Sequence, residues 1–343
     1  MCSYGTMNDD LPRLINIIKK DNYIPEIGYL GEFNDAFYGV TCNSNEIIRI
    51  EESTGNAHIW NQLTKDKKND AFLGNVVCID QYMAIAPFNA RNFYLFDMKE
   101  NKEIPLTGDT FNSDLPIGCS CSLVNNNKLW FLPSIGDSIY NLSISDRHVK
   151  KCINIRAGLL KKYGKLKIVT LDKGVINNNV LFFPLLEHGS VIAYNIDGNN
   201  FDCYELGEIG YVLSVEDSKG VILLDVNGFL WHWNYNSLES EKIGRITLNC
   251  NKNILDLQRA VISKDKIFFL TSRFNWSVEF NFNSLKYQVL LNSDLFDIKV
   301  DKGEWLKCLK CDKNTLVFMS NLDNLYIYDL DNQTYEKKEL KEE

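Results

Sequence analysis

Short catalytic motifs are missing from this 343-residue sequence. It contains no Gly-x-Ser-x-Gly, no His-Glu-x-x-His, no phosphate-binding loop and no dinucleotide fingerprint. Histidine is scarce, and the four residues are His58, His148, His188 and His232. Only Glu187 and His188 are adjacent in a way that suits an acid/base pair. The sequence therefore favours a protein without catalytic activity, and it indicates no cofactor.

Long hydrophobic runs and dense basic stretches are also missing. No segment approaches the roughly 18 uncharged apolar residues of a membrane span, and the first residues show no secretory leader pattern. The net charge is −8. The densest basic stretch, from Lys161 to Lys167, is interpreted as a solvated loop or a short helix face. These features predict a soluble, cytoplasmic protein that binds neither membranes nor nucleic acid.

The ten cysteines are spread along the whole chain, mostly within apolar strand patterns. Cys308 and Cys311 resemble a metal-binding pair in spacing. However, the surrounding sequence is typical of a strand, which sends residues three apart to opposite faces. We therefore expect free, buried thiols and no metal site.

A polar residue closes a short apolar strand and opens a turn seven times along the chain. The spacing ranges from 39 to 52 residues, which is typical of propeller repeats. Asn and Asp side chains at such positions accept hydrogen bonds from the backbone of the turn. Gly55, Gly198 and the Asn-rich turns are expected to supply the left-handed backbone that tight connections require. The seven residues are Glu51, Asp97, Ser143, Asn195, Asn234, Asn281 and Asp329.

Each repeat contains four strand patterns, here called A to D in chain order. Strands B are continuously apolar, which indicates burial on both faces, whereas strands C and D alternate more. The sequence therefore predicts an all-β fold, a seven-bladed β-propeller of four-stranded antiparallel blades. Residues 1–22 form an N-terminal segment with a short amphipathic helix, and residues 23–343 form one propeller domain. Each repeat supplies its own four strands, so the N-terminus is not needed to complete the last blade, although the sequence leaves open whether it does so.

The repeats resemble the kelch family of propellers. The closest match is LYIYDLDNQTYEKKEL, which ends at Leu340 and has a Tyr-Asp strand end followed by an aromatic residue. The kelch Gly-Gly doublet is absent, and only Trp60 occupies the position of the family's tryptophan. The resemblance implies the architecture and nothing about activity.

The strand order assigns each loop to one face of the propeller. The A–B and C–D turns are short and emerge on one face, called the short-turn face. The B–C and D–A connections are longer and more varied and emerge on the other, called the long-loop face. Long, varied loops on a rigid scaffold usually carry the binding site. The candidate residues on the long-loop face are Asn43, Asn89, Arg91, Asp137, Glu187, His188, Arg273, Asn275, Trp276 and Asp323.

Three functions are compatible with these residues. The first is a non-catalytic interaction protein that holds a protein or peptide on the long-loop face, around the central channel. The second is a carbohydrate-active enzyme of the epimerase, mutarotase or lyase type, using Glu187, His188 and Arg91. The third is a sugar-binding lectin that uses Trp276 and nearby asparagines. The lack of catalytic motifs favours the first.

Overall fold

The computed structural model describes residues 27–41, 46–63, 76–87, 90, 92–108, 117–125, 127–170, 174–207, 209–249, 251–271, 274–311 and 314–342. Seven four-stranded antiparallel sheets form a ring, so the predicted seven-bladed β-propeller is confirmed. The predicted N-terminal helix lies outside the described residues.

Each blade contains four consecutive strands, numbered in chain order from the channel outwards. Blade 1 contains β1 (Ile27–Glu32), β2 (Ala36–Thr41), β3 (Glu46–Glu51) and β4 (Asn56–Gln62). Blade 2 contains β5 (Val76–Ile79), β6 (Tyr82–Ile85), β7 (Tyr94–Asp97) and β8 (Lys102–Glu103), followed by a short β9 (Thr107–Gly108). Blade 3 contains β10 (Cys119–Asn125), β11 (Lys128–Pro133), β12 (Ser138–Ser143) and β13 (His148–Asn154). Blade 4 contains β14 (Val175–Asn177), β15 (Val180–Pro184), β16 (Ser190–Asn195) and β17 (Asn200–Glu205).

The remaining blades follow the same order. Blade 5 contains β18 (Tyr211–Glu216), β19 (Gly220–Asp225), β20 (Phe229–Asn234) and β21 (Ser240–Arg245). Blade 6 contains β22 (Leu257–Ser263), β23 (Lys266–Thr271), β24 (Trp276–Asn281) and β25 (Lys286–Leu291). Blade 7 contains β26 (Leu306–Cys311), β27 (Thr315–Ser320), β28 (Asn324–Asp329) and β29 (Thr334–Glu339), followed by a short β30 (Lys341–Glu342). The last blade therefore takes all four strands from its own repeat, as predicted.

Burial follows strand position as the sequence predicts. All six residues of β2 and of β19 are buried, because second strands pack between neighbouring blades on both faces. The outermost strands, such as β17 and β25, alternate between exposed and half-buried residues. Separate apolar clusters fill the seams between blades, so the core is distributed around the ring. Of the CLKC pair, Cys308 is buried in strand β26, as expected, whereas Cys311 ends the same strand and is only half-buried.

The seven predicted turn residues are the last residues of the seven C strands. Asp97 Oδ1 accepts the N–H groups of Lys99 and Glu100 at 3.0 and 3.1 Å. Asp329 Oδ1 accepts those of Asp331 and Asn332 at 2.8 and 2.9 Å. These bonds satisfy backbone donors of the turn locally, which explains why a short polar side chain recurs at this position.

The fifth residue of every C–D turn has a positive φ. Gly55 at φ 77° agrees with the prediction, but in blade 4 the left-handed residue is Asn199, at φ 47°, and not Gly198. An N–H bond from the fifth residue to the carbonyl of the first closes the turn, as between Gln333 and Asp329 at 2.9 Å. The seven left-handed residues are Gly55, Asn101, Arg147, Asn199, Leu238, Leu285 and Gln333.

Among the described residues, two D–A connections contain α-helices, and both lie on the long-loop face. The longer helix, Ile155–Tyr163, begins after Asn154, whose side chain accepts the N–H of Ala157 at 2.8 Å. It ends at Gly164, which has φ 79°. Lys161 and Lys162 lie in its exposed last turn, so this part of the basic stretch is a short solvated helix face. The second helix, Asn292–Leu295, is a single turn, and a 3-10 turn spans Ile254–Asp256.

The chain that leaves one blade passes along the outer strand of the next. Strand β9 pairs in parallel with β13, and β30 pairs in parallel with β4. The N–H of Lys341 donates to the carbonyl of Gly55 at 3.1 Å. A Cβ atom on Gly55 would lie 2.2 Å from the carbonyl oxygen of Glu339, so this approach requires glycine. The C-terminal strand therefore fastens blade 7 to blade 1 and closes the ring.

Removal of residues 341–343 is expected to lower the free energy of unfolding by about 1–2 kcal/mol, since it removes the β30–β4 pairing. Urea denaturation of the truncated and full-length proteins measures this loss. The double variant Lys341→Ala/Glu342→Ala keeps the backbone bonds and serves as the control. Equal midpoints for the truncated and full-length proteins would show that β30 does not fasten the ring.

Candidate functional site

The predicted site residues that the structure describes lie in the connections between second and third strands, except Trp276, which is the first residue of a third strand. Asp137 belongs to blade 3, Glu187 and His188 to blade 4, Asn275 and Trp276 to blade 6, and Asp323 to blade 7. Antiparallel topology places these positions on one face of the ring. Asn43, Asn89, Arg91 and Arg273 lie outside the described residues.

Glu187 is occupied by backbone donors. Its carboxylate accepts the N–H groups of Lys167, at 3.0 and 3.1 Å to its two oxygens, and of Ile168 at 2.9 Å. His188 stacks on Tyr163, with ring centroids 4.1 Å apart and an interplanar angle of 15°. Its Nε2 lies 3.4 Å from the carbonyl oxygen of Lys165. Both side chains therefore attach the segment after the long helix to blade 4, and no hydrogen bond joins the two.

Asp137 is also held by neighbours on its own blade. Its carboxylate contacts Lys151 Nζ at 3.2 Å and accepts a hydrogen bond from Asn154 Nδ2 at 3.1 Å. The side chain is 43% exposed, so the ion pair with Lys151 is a weak one. Asp137 keeps one side open to solvent and remains accessible to a partner.

Arg156, which the sequence does not single out, is the most heavily bonded residue of this region. Its guanidinium donates to the carbonyls of Gly136, Leu166 and Lys167 at 2.9, 2.6 and 2.7 Å. It also donates to those of Ser134 and Ile135 at 3.3 and 3.0 Å. Burial lowers its pKa, against the opposing effect of Glu187 and Asp137. Its acceptors are backbone carbonyls far apart in sequence, so no local pattern could have revealed this role.

The loop of blade 6 places a different aromatic residue at the surface from the one predicted. Trp276 is 7% exposed and packs in the seam between blades 5 and 6, whereas Phe274 is 42% exposed. Thr271 Oγ1 lies 2.7 and 2.6 Å from the carbonyl oxygens of Phe274 and Trp276, and its single O–H, donated to either, holds the loop. Asn275 Oδ1 accepts the N–H of Leu306 at 2.9 Å, which ties this loop to blade 7.

Asp323 is exposed and has φ 57°, and its carbonyl accepts the N–H of Leu340 at 2.6 Å. Near it lies Glu304, a charged residue that the sequence does not single out. The side chain of Glu304 is completely buried and accepts hydrogen bonds from Asn324 Nδ2 at 2.7 Å and Tyr326 Oη at 2.8 Å. The N–H of Asp301 adds a third bond at 2.8 Å. Glu304 therefore fixes the connection between blades 6 and 7.

An apolar patch lies on the long-loop face of blades 6 and 7 and consists of Phe274, Leu291, Trp305 and Leu322. Leu291 is 48% exposed, Leu322 is 46% exposed, and Trp305 is half-buried. Leu291 ends β25 directly opposite Trp276. The N–H of Trp305 donates to Asn321 Oδ1 at 2.7 Å, next to Leu322. Phe274 and Leu322 each adjoin a residue whose side chain bonds to the segment 305–306, so these two residues and Trp305 lie on neighbouring connections.

In the part of the chain that the structure describes, no helix is long and apolar enough to cross a membrane. The same residues contain no group of three or more His, Cys, Asp or Glu side chains that could hold a metal ion.

No family model matches the chain, and no curated protein has a matching sequence. Solved structures do share its fold. Sqt1 from Saccharomyces cerevisiae has a TM-score of 0.60 at 8% identity, over 92% of this chain and 85% of Sqt1. The computationally designed Ika8 protein has a TM-score of 0.55 at 9% identity, over 91% of this chain and 86% of Ika8.

BamB from Moraxella catarrhalis has a TM-score of 0.50 at 9% identity, over 90% of this chain and 83% of BamB. Identities this low show the fold alone, so these similarities support the β-propeller and leave the kelch resemblance untested.

Proposed function

We propose that this protein is a non-catalytic binding propeller that holds a protein or peptide partner on its long-loop face. The observation that carries the proposal is the apolar patch of Phe274, Leu291, Trp305 and Leu322. Large apolar side chains that are nearly half-exposed and clustered are typical of interaction sites. Aromatic residues supported by a rigid backbone are the usual anchors of such sites.

The loops that carry the patch are held by hydrogen bonds that connect neighbouring blades. Asn275 bonds to Leu306, and Asn321 bonds to Trp305. A surface fixed in this way loses little conformational entropy when a partner binds. The long-loop face of blades 3 and 4 is fixed in a similar way, because Arg156 donates hydrogen bonds to five carbonyl groups there.

Two carboxylates on the described part of the long-loop face are engaged in structural bonds. Glu187 accepts three hydrogen bonds from backbone N–H groups, and Glu304 is completely buried. Neither is placed to exchange a proton with a bound sugar, so the binding role is favoured over the carbohydrate-active alternatives.

The double variant Phe274→Asn/Leu322→Asn is expected to lose its partner, because both changes remove exposed apolar contact area from the patch. Affinity capture from a lysate of the native host, followed by quantitative mass spectrometry, measures the loss. Partner recovery should fall at least about tenfold relative to the wild type. Arg273→Ala, in the same loop, is expected to weaken capture less strongly.

The control is Ile59→Asn on the outer strand β4. Ile59 is 59% exposed but lies away from the long-loop face, so this variant should retain the partner. If the double variant captures the same proteins as the wild type in equal amounts, the long-loop face is not the binding surface.

A further inference from the structure

A second surface lies on the short-turn face, at the seam between blades 5 and 6. A groove of about 760 Å³ opens there between the C–D turn of blade 5 and the C–D turn of blade 6. Ile222, Ile243 and Phe282 supply its apolar lining. The groove is separate from the long-loop face, because short turns and long loops emerge at opposite ends of the strands.

Among the charged side chains of the groove, acidic ones outnumber basic ones. Asp217, Glu239 and Glu241 contribute three carboxylates, and Lys219 contributes one ammonium group. His232 lies among them, with Nε2 at 3.1 Å from Asp217 Oδ2. Glu241 is 75% exposed at its side chain and is therefore available to a ligand. The groove as a whole is complementary to a positively charged group.

The two turns beside the groove share a sequence that the other blades lack. Blade 5 has Asn-Tyr-Asn-Ser-Leu at residues 234–238, and blade 6 has Asn-Phe-Asn-Ser-Leu at residues 281–285. Ser237 and Glu239, on either side of Leu238, line the groove, and so does Phe282 in the turn of Leu285. Leu238 is 46% exposed and Leu285 is 59% exposed.

The seven-fold repeat provides an internal comparison for these leucines. Both occupy the fifth turn position, at φ 59° and 54°, where the backbone favours glycine or asparagine. The other blades have no large apolar residue there and instead use Gly55, Asn101, Arg147, Asn199 and Gln333. The turn therefore does not require leucine. Since Leu285 is 59% exposed, most of its surface is not stabilised by packing within the chain. The two leucines are explained if they contact something outside the chain.

We propose that this groove is a second binding site, for a peptide segment in which basic and apolar side chains alternate. The basic side chain would lie against Asp217, Glu239 and Glu241. The apolar side chains would contact Leu238, Leu285 and the lining residue Phe282. This site is independent of the one proposed on the long-loop face.

The probe for this proposal is the amidated pentapeptide Lys-Leu-Lys-Leu-Lys, with Glu-Leu-Glu-Leu-Glu as its charge-reversed counterpart. Leucine methyl signals in NMR spectra of the protein report where each peptide binds. The basic peptide should shift the signals of Leu238 and Leu285 and leave that of Leu160 unchanged, whereas the acidic peptide should shift none of them. Leu160 is also exposed, but it lies on the long helix at the opposite face.

Replacing Leu238 and Leu285 by asparagine, the residue that blades 2 and 4 carry, should weaken binding of the basic peptide by roughly fivefold each. These changes suit the left-handed backbone, so the variants should fold at least as well as the wild type. Leu160→Asn is the matched control and should bind the peptide normally. The proposal is overturned if the basic peptide does not bind, if both peptides bind equally, or if the leucine variants keep wild-type affinity.

Discussion

Replacing Glu304 with alanine is expected to lower the free energy of unfolding by about 3 kcal/mol at neutral pH. The change leaves the buried Asn324 Nδ2, Tyr326 Oη and the N–H of Asp301 without their acceptor. Because these donors join the connection between blades 6 and 7 to β28, the loss affects the propeller as a whole. Urea denaturation of the variant and the wild type measures it.

The same carboxylate predicts a pH dependence. Burial alone would raise the pKa of Glu304, but the hydrogen bonds that it accepts outweigh burial and lower the pKa from 4.5 to about 2. A lowered pKa in the folded state stabilises the protein above the unfolded-state value, and this stabilisation is lost as the pH falls from about 4.5 towards about 2. The difference in stability between the wild type and Glu304→Ala should therefore stay constant from about pH 7 to about pH 5 and narrow as the pH falls from about 4.5 towards about 2.

The control for Glu304 is Glu336→Ala on the outer strand β29. Glu336 is a carboxylate that is 68% exposed and pairs only with Lys338 at 3.0 Å. Its removal is expected to change stability by less than about 1 kcal/mol. Equal losses for the two variants, or a difference that does not change with pH, would contradict the role assigned to Glu304.

The second large effect is expected for Arg156→Met, which should destabilise the protein by about 3 kcal/mol. The variant fills a similar volume but removes every hydrogen bond from the guanidinium to the carbonyls of residues 134–136 and 166–167. The carbonyl of Ser134 keeps a second donor, the N–H of Val169 at 2.9 Å. The destabilisation should therefore be smaller than the sum of five separate hydrogen bonds. Urea denaturation measures the loss in the free energy of unfolding. Amide hydrogen exchange should be faster in residues 164–170 of the variant than in the wild type.

Lys161→Met is the matched control for Arg156→Met. Lys161 lies on the same helix, in its exposed last turn, and its replacement should leave both stability and exchange near the wild-type values. The stability and exchange rates of Arg156→Lys should lie between those of the two other variants, because one ammonium group cannot reach all the carbonyls that the planar guanidinium contacts. Normal exchange in Arg156→Met would show that this residue does not hold the segment after the helix.

The fold could be predicted because its signals are local. A polar residue at the end of each C strand bonds to its own turn, so the seven residues from Glu51 to Asp329 mark strand ends whatever lies around them. The apolar second strands likewise report burial directly, as β2 and β19 show. The prediction that Gly198 has a left-handed backbone is wrong, because the turn needs its left-handed residue one place later, at Asn199.

The candidate site was less predictable, because it depends on which blade each loop contacts. Trp276 and Phe274 are two residues apart and similar in character, yet packing between blades 5 and 6 buries one and leaves the other exposed. Glu187 suits an acid/base role by type, but the segment at Lys167 and Ile168, brought close by the long helix, occupies its oxygens. These contacts join residues about 20 positions apart, and no periodic pattern encodes them.

The sequence by itself determined the architecture of this protein: seven repeats of four strands, their register, and the division into a short-turn face and a long-loop face. These features follow from strand periodicity and turn chemistry, which act over a few residues. Only the tertiary structure decided which side chains on each face are exposed and can contact a partner. Arg156, Glu187 and Glu304 are taken up by distant backbone and side-chain partners, while Phe274, Leu322, Leu238 and Leu285 remain exposed. The reason is that exposure depends on the packing of neighbouring blades and connections, which the order of residues within one blade does not specify.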